Sequence, residues 1–136
     1  MSRHVLFARP DNEFTEICRL FFEMGIHHLP VVNDQGELLG MISANDLLKA
    51  FTFTVPKLEK SDEKSLNRIF QLTEVMTPTP LHTIRPDHSV KEAAKSFADY
   101  KIHALPVIEK GKVVGIITAD DLIESLAGVE EALRFI

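Results

Sequence analysis

Two hydroxyl–carboxylate pairs, each with its members three positions apart, are the part of the sequence best suited to chemistry. Ser43 precedes Asp46 and Thr118 precedes Asp121, and each pair follows an apolar run of strand length that is broken once by glycine. A hydroxyl at that point suits a helix N-cap, and an acid suits the first helical turn. Each pair is therefore predicted to lie where a buried strand runs straight into a helix. The free N–H groups and positive dipole end of such a helix start favour an anion, although capping alone would also account for both pairs.

The chain contains none of the common patterns for catalysis or for phosphate loops. It has no nucleophile elbow, no HExxH and no glycine-rich loop of the Walker or dinucleotide-binding type. We therefore predict that the protein is not an enzyme and that a nucleotide would be held differently. His27, His28 and His103 lack the spacing and the partner residues of a metal site, so we predict no metal.

Several basic side chains are candidate phosphate donors. Protonated histidines could donate to an anionic ligand. Arg9 and Arg85 occur at matching positions and are further candidates, unless each pairs with a nearby acid, Asp11 or Asp87.

Composition limits the class of protein. The 136 residues are 45% hydrophobic and 26% charged, as is typical of a globular domain, and the formal net charge is −5. This charge argues against nucleic acid as a partner, and no apolar stretch is long enough to span a membrane. The N-terminus lacks the apolar segment of a signal peptide. The single cysteine, Cys18, falls on an apolar helix face, so we expect a reduced core residue in a cytoplasmic protein.

An internal duplication organises the whole chain. Sixteen residues are identical between its two halves, ten at a spacing of 76 residues and six at a spacing of 75. Each half is predicted to have the order β-α-β-β-α, which gives an α/β (α+β) class. The predicted elements are strands at 5–8 and 81–84, helices at 13–24 and 89–100, strands at 29–32 and 105–108, hairpin turns at 33–36 and 109–111, and glycine-containing strands that lead into helices from 43 and 118.

The segments outside this order set the predicted domain boundaries. The first repeat is predicted over 1–53, a linker over 54–66, the second repeat over 67–127 and a short C-terminal helix over 128–136. A lead-in helix is predicted over 64–76, with its apolar residues Leu66, Ile69, Phe70 and Leu72 facing inward.

The duplicated strings resemble those of the cystathionine-β-synthase (CBS) domain. They are His-Ala-Leu-Pro-Val-Ile from His103 and Val-Val-Gly-Ile-Ile-Thr-Ala-Asp-Asp-Leu from Val113, together with their counterparts in the first repeat. The lead-in Val75-Met76-Thr77-Pro78 fits the same family. The resemblance implies a Bateman module, in which two CBS repeats pack with pseudo-two-fold symmetry and commonly pair again as a disk-shaped dimer.

The resemblance also implies a function. Such modules bind adenosine-containing ligands, namely AMP, ADP, ATP or S-adenosylmethionine, in clefts between the repeats, and they regulate an attached enzyme or channel. Because the two repeats account for nearly all of this sequence, we expect a stand-alone sensor that needs no cofactor beyond its ligand. The alternative is a ligand-free structural or dimerisation module that interacts with a partner protein.

The family pattern assigns roles to residues of this sequence. The ribose would be held by Asp121 and Thr118, and by Asp46 and Ser43. The resemblance implies an adenine slot in each repeat, formed by Thr83, Ile84, Ala104, Leu105 and Pro106, and by Phe7, Ala8, His28, Leu29 and Pro30. Core packing without a ligand is the alternative for Leu29 and Leu105. Because Phe7 replaces the hydroxyl of Thr83 with a bulkier ring, we expect the two sites to be unequal.

The first testable prediction concerns assembly. Each repeat has two amphipathic helices whose second apolar faces need a partner, and the family pairs such modules across a two-fold axis. We predict a homodimer at micromolar concentration in sedimentation velocity; a monomer at that concentration would contradict the prediction.

Overall fold

The computed structural model describes residues 6–54 and 62–134, and these residues form two compact units. The N-terminal unit comprises residues 6–81, and the C-terminal unit contains residues 82–134. The mixture of helices and small antiparallel sheets confirms the predicted α/β (α+β) class. The elements in chain order are α1 (Phe14–Met24), β1 (His28–Val32), β2 (Leu38–Ser43), α2 (Ala44–Thr54), α3 (Glu63–Ile69), α4 (Leu72–Val75), β3 (Thr77–Pro78), α5 (Val90–Tyr100), β4 (Ala104–Glu109), β5 (Lys112–Thr118) and α6 (Ala119–Arg134).

The predicted hairpins are present in both units. In the N-terminal unit β1 and β2 pair antiparallel across the predicted turn, where Gly36 has φ +81°. The side chain of Asn33 accepts hydrogen bonds from the backbone N–H groups of Gln35 and Glu37, at 3.0 and 2.9 Å. In the C-terminal unit Lys110 and Gly111 both have positive φ, the geometry that a two-residue hairpin turn requires.

Each predicted opening strand, 5–8 and 81–84, is reduced to a single bridge at its last residue. Ala8 N–H donates to the Pro30 carbonyl at 2.8 Å, and Ile84 N–H donates to the Pro106 carbonyl at 3.0 Å. The two prolines are the third residues of β1 and β4 rather than their first. Because the nitrogen of each proline faces this same side and carries no hydrogen, the pairing cannot extend further. Val5 lies outside the described residues.

Helix α1 confirms the predicted segment 13–24 within one residue. Phe14, Ile17 and Phe21 are buried, and Gly25 ends the helix with φ +62°. Cys18 is half-buried, and burial raises the pKa of its thiol. Phe22 fits the apolar spacing of the helix, four residues after Cys18, but it is 88% exposed, because it lies about 100° around the helix axis from Phe21.

The predicted lead-in helix over 64–76 is two helices, α3 and α4, with extended backbone at Phe70 between them. Leu66, Phe70 and Leu72 are buried in the core of the N-terminal unit, whereas Ile69 is 40% exposed. In one continuous helix Leu72 would point about 160° away from Phe70. The break lets both side chains reach the same core.

The compact units do not end where the repeats are predicted to end, because α3 and α4 pack on the first-repeat core, and the predicted repeat boundaries stay a prediction. The N-terminal unit therefore extends to residue 81, past the predicted boundary at 53. Helix α3 begins at Glu63, inside the predicted linker; the rest of that linker falls largely on residues 55–61, outside the described residues. Asp62 caps α3, and hydrogen bonds from Ser65 hold the pKa of its carboxyl below the usual value.

A polar contact joins α3 to the start of α1. The N-cap residue Glu13 makes no side-chain capping bond of its own. Instead, Asn67 Oδ1 accepts from the Thr15 N–H at 2.9 Å, and Asn67 Nδ2 donates to Glu13 at 3.1 Å. The Phe14 and Phe70 rings, 4.4 Å apart between centroids, pack beneath this contact. Helix α3 thus supplies a cap that α1 lacks.

In the C-terminal unit α5 and α6 accompany the β4–β5 hairpin. Helix α5 confirms the predicted segment 89–100, and Ser89 caps it by accepting from Glu92 N–H at 3.1 Å. Helix α6 runs unbroken from Ala119 to Arg134, so residues 128–134 of the separate helix predicted over 128–136 are the end of α6. Residues 135 and 136 lie outside the described residues. Gly128 lies within that helix, where glycine costs about 1 kcal/mol relative to alanine without breaking it. The core residues are Ile84, Ala93, Leu105, Val107 and Leu122.

The second prediction tests the close crossing at Gly40. A Cβ atom at this position would lie 2.6 Å from Met76 Sδ and 2.7 Å from the Thr77 carbonyl oxygen. We expect Gly40→Ala to lower the free energy of unfolding by about 2 kcal/mol, measured by urea denaturation. Shortening the flexible neighbour in the double variant Gly40→Ala, Met76→Ala should not restore stability, because the backbone oxygen remains. Wild-type stability of Gly40→Ala would contradict this description.

Candidate functional site

Each glycine-containing strand continues into its helix without a loop. Ser43 is the last residue of β2, and Ala44 is the first of α2. Ser43 N–H donates to Asp46 Oδ2 at 2.8 Å, while Asp46 N–H donates to Ser43 Oγ at 3.1 Å. This reciprocal arrangement is a capping box. The capping alternative for this pair is therefore present, whether or not the pair also binds a ligand.

The second repeat builds the same junction between β5 and α6. Thr118 N–H donates to Asp121 Oδ2 at 2.9 Å, and Asp121 N–H donates to Thr118 Oγ1 at 3.2 Å. All four side chains of the two pairs are half-buried. In the described part of the chain, Oδ1 of each aspartate has no hydrogen-bond partner. Each carboxylate therefore keeps one oxygen that can accept further hydrogen bonds.

Most of the backbone N–H groups at the helix starts, which were expected to be free, already donate hydrogen bonds within the protein. Ala44 N–H donates to the His27 carbonyl at 2.8 Å, and Ala119 N–H donates to the His103 carbonyl at 2.9 Å. Together with the capping boxes, these bonds leave only the second N–H of each helix, at Asn45 and Asp120, without a partner among the described residues. The expectation that several backbone donors face an anion is therefore wrong. A phosphate here would depend on side chains for its charge.

The predicted site residues of the second repeat come together at one end of its hairpin. Ala104 pairs with Thr118, and Ile84 is bonded to Pro106. Thr83 and His103 are exposed, whereas Leu105 is 1% exposed and Pro106 is fully buried. The side chains of Leu105 and Pro106 therefore belong to the core.

The first repeat gathers its predicted residues in the same way. His28 pairs with Ser43, and Ala8 is bonded to Pro30. Phe7 is 40% exposed, but Ala8, Leu29 and Pro30 are core side chains. Leu29 and Leu105 are therefore packed in the core, which was the alternative to ligand contact. Any ligand contact by Ala8 or by the two prolines would use backbone atoms.

The two arginines form ion pairs at the protein surface. Arg9 lies 3.0 Å from Asp34, and not beside Asp11, which was the neighbour considered from the sequence. Arg85 lies 3.6 Å from Asp87. All four side chains are largely exposed, and such pairs contribute little to stability.

A cavity of about 300 Å³ lies within the N-terminal unit, between α2 and the α3–α4 corner. Of the residues that line it, the sequence indicated only Asp46 as a candidate ligand contact. Asp46 and Lys49 are three positions apart and share a helix face, so Lys49 could have been found from spacing. The residues on the other side could not, because the break between α3 and α4 places them. The cavity is lined by Asp46, Lys49, Ala50, Phe70, Gln71, Glu74 and Val75.

The described part of the chain contains neither a membrane-spanning helix nor a cluster of metal ligands. No helix there combines the length and hydropathy needed to cross a membrane. No group of three or more histidine, cysteine, aspartate or glutamate side chains there is placed to hold a metal ion.

Comparison with known proteins identifies the family. The family model of the CBS domain matches residues 1–52 and 72–128. The chain belongs to the CBS-domain family. Its two copies of the strand–helix junction are thus parts of two CBS domains, as the resemblance of the repeated strings implied.

Relatives of this CBS-domain chain differ in length. It is 30% identical to the uncharacterized protein MJ1426 of Methanocaldococcus jannaschii, a match that covers 85% of this chain and 82% of that protein. It is 32% identical to homoserine O-acetyltransferase of Methanococcoides burtonii over 90% of this chain. The matched part makes up only 22% of that enzyme's length.

Solved CBS structures share the fold. AcuB of Vibrio cholerae has a TM-score of 0.78 and 29% identity, and the match covers all of this chain and 93% of AcuB. The CBS domain pair of protein MJ0100, in complex with 5′-methylthioadenosine and S-adenosyl-L-methionine, has a TM-score of 0.78 and 26% identity. That match covers 94% of this chain and 92% of the MJ0100 chain.

The third prediction tests the capping box apart from any ligand. Thr118→Ala removes the acceptor for Asp121 N–H, so we expect the free energy of unfolding to fall by about 1 kcal/mol. Thr118→Ser keeps the hydroxyl and should lose much less. The measurement is urea denaturation without added nucleotide. Equal stability of the alanine and serine variants would rule out the capping role.

Proposed function

We propose that this CBS-domain chain is a regulatory module that binds adenosine-containing small molecules at the starts of α2 and α6. The observation that carries the proposal is the strand–helix junction, which is built twice with the same hydrogen bonds. In each copy one oxygen of the aspartate is used for capping and the other is available. That oxygen is suited to accept hydrogen bonds from ribose hydroxyls.

The neighbouring side chains suit a flat base. Thr83 is exposed and Ala104 is half-buried in the second repeat; Phe7 is exposed and His28 is half-buried in the first. Backbone groups of the adjoining strands would read the edge of the adenine. His103, just before β4, is exposed and could approach a bound ligand.

The MJ0100 complex supports the choice of ligand class. Its CBS pair holds two adenosine derivatives, and its identity to this chain extends over nearly the whole length of both. The enzymes among the relatives contain the matching segment as a minor part of their length. We therefore propose that the module senses a ligand on behalf of another protein or segment in the cytoplasm, and that it does not catalyse a reaction.

The fourth prediction tests the ribose contact. Asp121→Asn keeps an acceptor for the helix cap, so its melting temperature should stay close to that of wild type. Loss of the charge-assisted bonds should weaken adenine-nucleotide binding at this site about tenfold or more, which corresponds to roughly 1.4 kcal/mol. Calorimetric titration of AMP, ATP and S-adenosylmethionine into wild type and variant measures the change.

Two matched variants serve as controls. Asp46→Asn should weaken binding at the other site, whereas Asp99→Asn removes an exposed carboxylate on α5, outside both junctions, and should leave binding unchanged. If Asp121→Asn melts lower than wild type but binds every ligand equally well, Asp121 is only a cap and the assignment is wrong.

A protein-contact role is the second candidate, favoured by the exposed apolar side chains. Phe22 is 88% exposed, and Leu48, Ile123 and Leu126 are each more than 60% exposed. Apolar side chains of this size mark a surface that contacts a partner where they form a contiguous patch. If none of the adenosine compounds binds while the chain dimerises through these residues, the contact role replaces the sensor role.

A further inference from the structure

The two candidate sites differ in the formal charge that the first two turns of their helices carry. At the 75-residue spacing Asn45 aligns with Asp120, and Lys49 aligns with Glu124, while Asp46 and Asp121 are identical. The first two turns of α2 therefore carry one acid and one base, for a formal charge of zero. The corresponding turns of α6 carry three acids and no base, for a formal charge of −3.

The basic residue is placed beside the candidate ribose acceptor. Lys49 and Asp46 line the same cavity, and positions three apart on a helix are neighbours. Glu74, on α4, lines the opposite side, so the cavity also contains a second acid. Within the described residues, no carboxylate oxygen lies within 4 Å of the Lys49 ammonium. Lys49 is thus not neutralised by a direct ion pair there.

The backbone cannot compensate for side-chain charge at either helix start. Three of the N–H groups at each junction are already bonded within the protein, as described above. A phosphate on the ribose 5′ carbon would therefore respond to side-chain charge. The candidate donors Arg9 and Arg85, and likewise His27 and His103, occur at matching positions of the two repeats, so they do not distinguish the sites. The side chain one turn after the aspartate does. That side chain is a lysine at one site and a glutamate at the other.

We propose that Lys49 and Glu124 sort ligands by charge, so that the α2 site takes a phosphate-bearing adenine nucleotide and the α6 site takes an uncharged or cationic adenosine derivative. The inference rests on the proposed function and adds to it the ligand class of each site. Two different ligands can then occupy one chain at the same time, and the module reports a pair of concentrations.

The experiment measures each site separately by calorimetry with AMP, adenosine and S-adenosylmethionine. Binding at the α2 site is measured in the variant Asp121→Asn, in which the α6 site is weakened. Binding at the α6 site is measured in Asp46→Asn, in which the α2 site is weakened. In the first background AMP should bind about tenfold more tightly than adenosine. Lys49→Glu should abolish that preference, Lys49→Met should reduce it, and Glu74→Gln should increase it.

In the second background adenosine and S-adenosylmethionine should bind more tightly than AMP, and Glu124→Lys should reverse the order.

Charge-matched controls and salt complete the design. Lys91→Glu and Glu23→Lys change exposed helix residues away from both junctions by the same charge and should leave every preference unchanged. The AMP preference of the α2 site should shrink as salt rises from about 50 to about 500 mM, because salt screens exposed charges.

The outcomes separate the two proposals. If the ligands bind and the two aspartate variants weaken them, but the exchanges at positions 49 and 124 leave the AMP-to-adenosine ratio unchanged, charge sorting is wrong and the sensor function stands. If no adenosine compound binds the wild-type chain, both are wrong. Retained melting temperatures show that each variant is folded when it is titrated.

Discussion

The direct passage from strand to helix is the constraint on which both repeats depend. With no loop between β2 and α2, or between β5 and α6, the first backbone N–H groups of the helix must find partners where the strand ends. They find them in the serine or threonine hydroxyl and in the histidine carbonyl just before β1 or β4. The aspartate carboxylate in turn accepts from the N–H of the last strand residue. These bonds fix the helix, the hairpin and the aspartate relative to one another. The arrangement that stabilises each junction therefore also sets how much of the aspartate remains for a ligand.

Local signals made much of this structure predictable. Helices α1 and α5, both hairpin turns and both capping boxes are encoded within a few residues by apolar spacing, glycine, and cap residues. The break at Phe70 is different, because it depends on a core that residues far away in the sequence create. Likewise, the apolar spacing places Phe22 beside the buried face of α1, but spacing alone does not show how wide that buried face is.

For the candidate site the limits are similar. The aspartates and the hydroxyls could be named from the duplication, but only the structure shows that the cap uses one oxygen of each carboxylate and, among the described residues, leaves the other without a partner. Burial separates Leu105 and Pro106, which are core, from Thr83, which is exposed. Sequence spacing does not distinguish these roles, since all three fit a strand near the junction. The importance of Lys49 emerges only when the α3–α4 corner closes a cavity around it.

The cap that Asn67 provides for α1 has a consequence for the history of the chain. The first repeat is predicted to end near residue 53, yet a fragment cut there would leave the first turn of α1 without Asn67 and the Phe14 ring without Phe70. The fragment that keeps its own core runs to residue 81. The repeated segment and the compact unit of the structure therefore end at different residues. An engineer who exchanges sensor halves between relatives should join them after residue 81, although the repeated strings alone suggest residue 53.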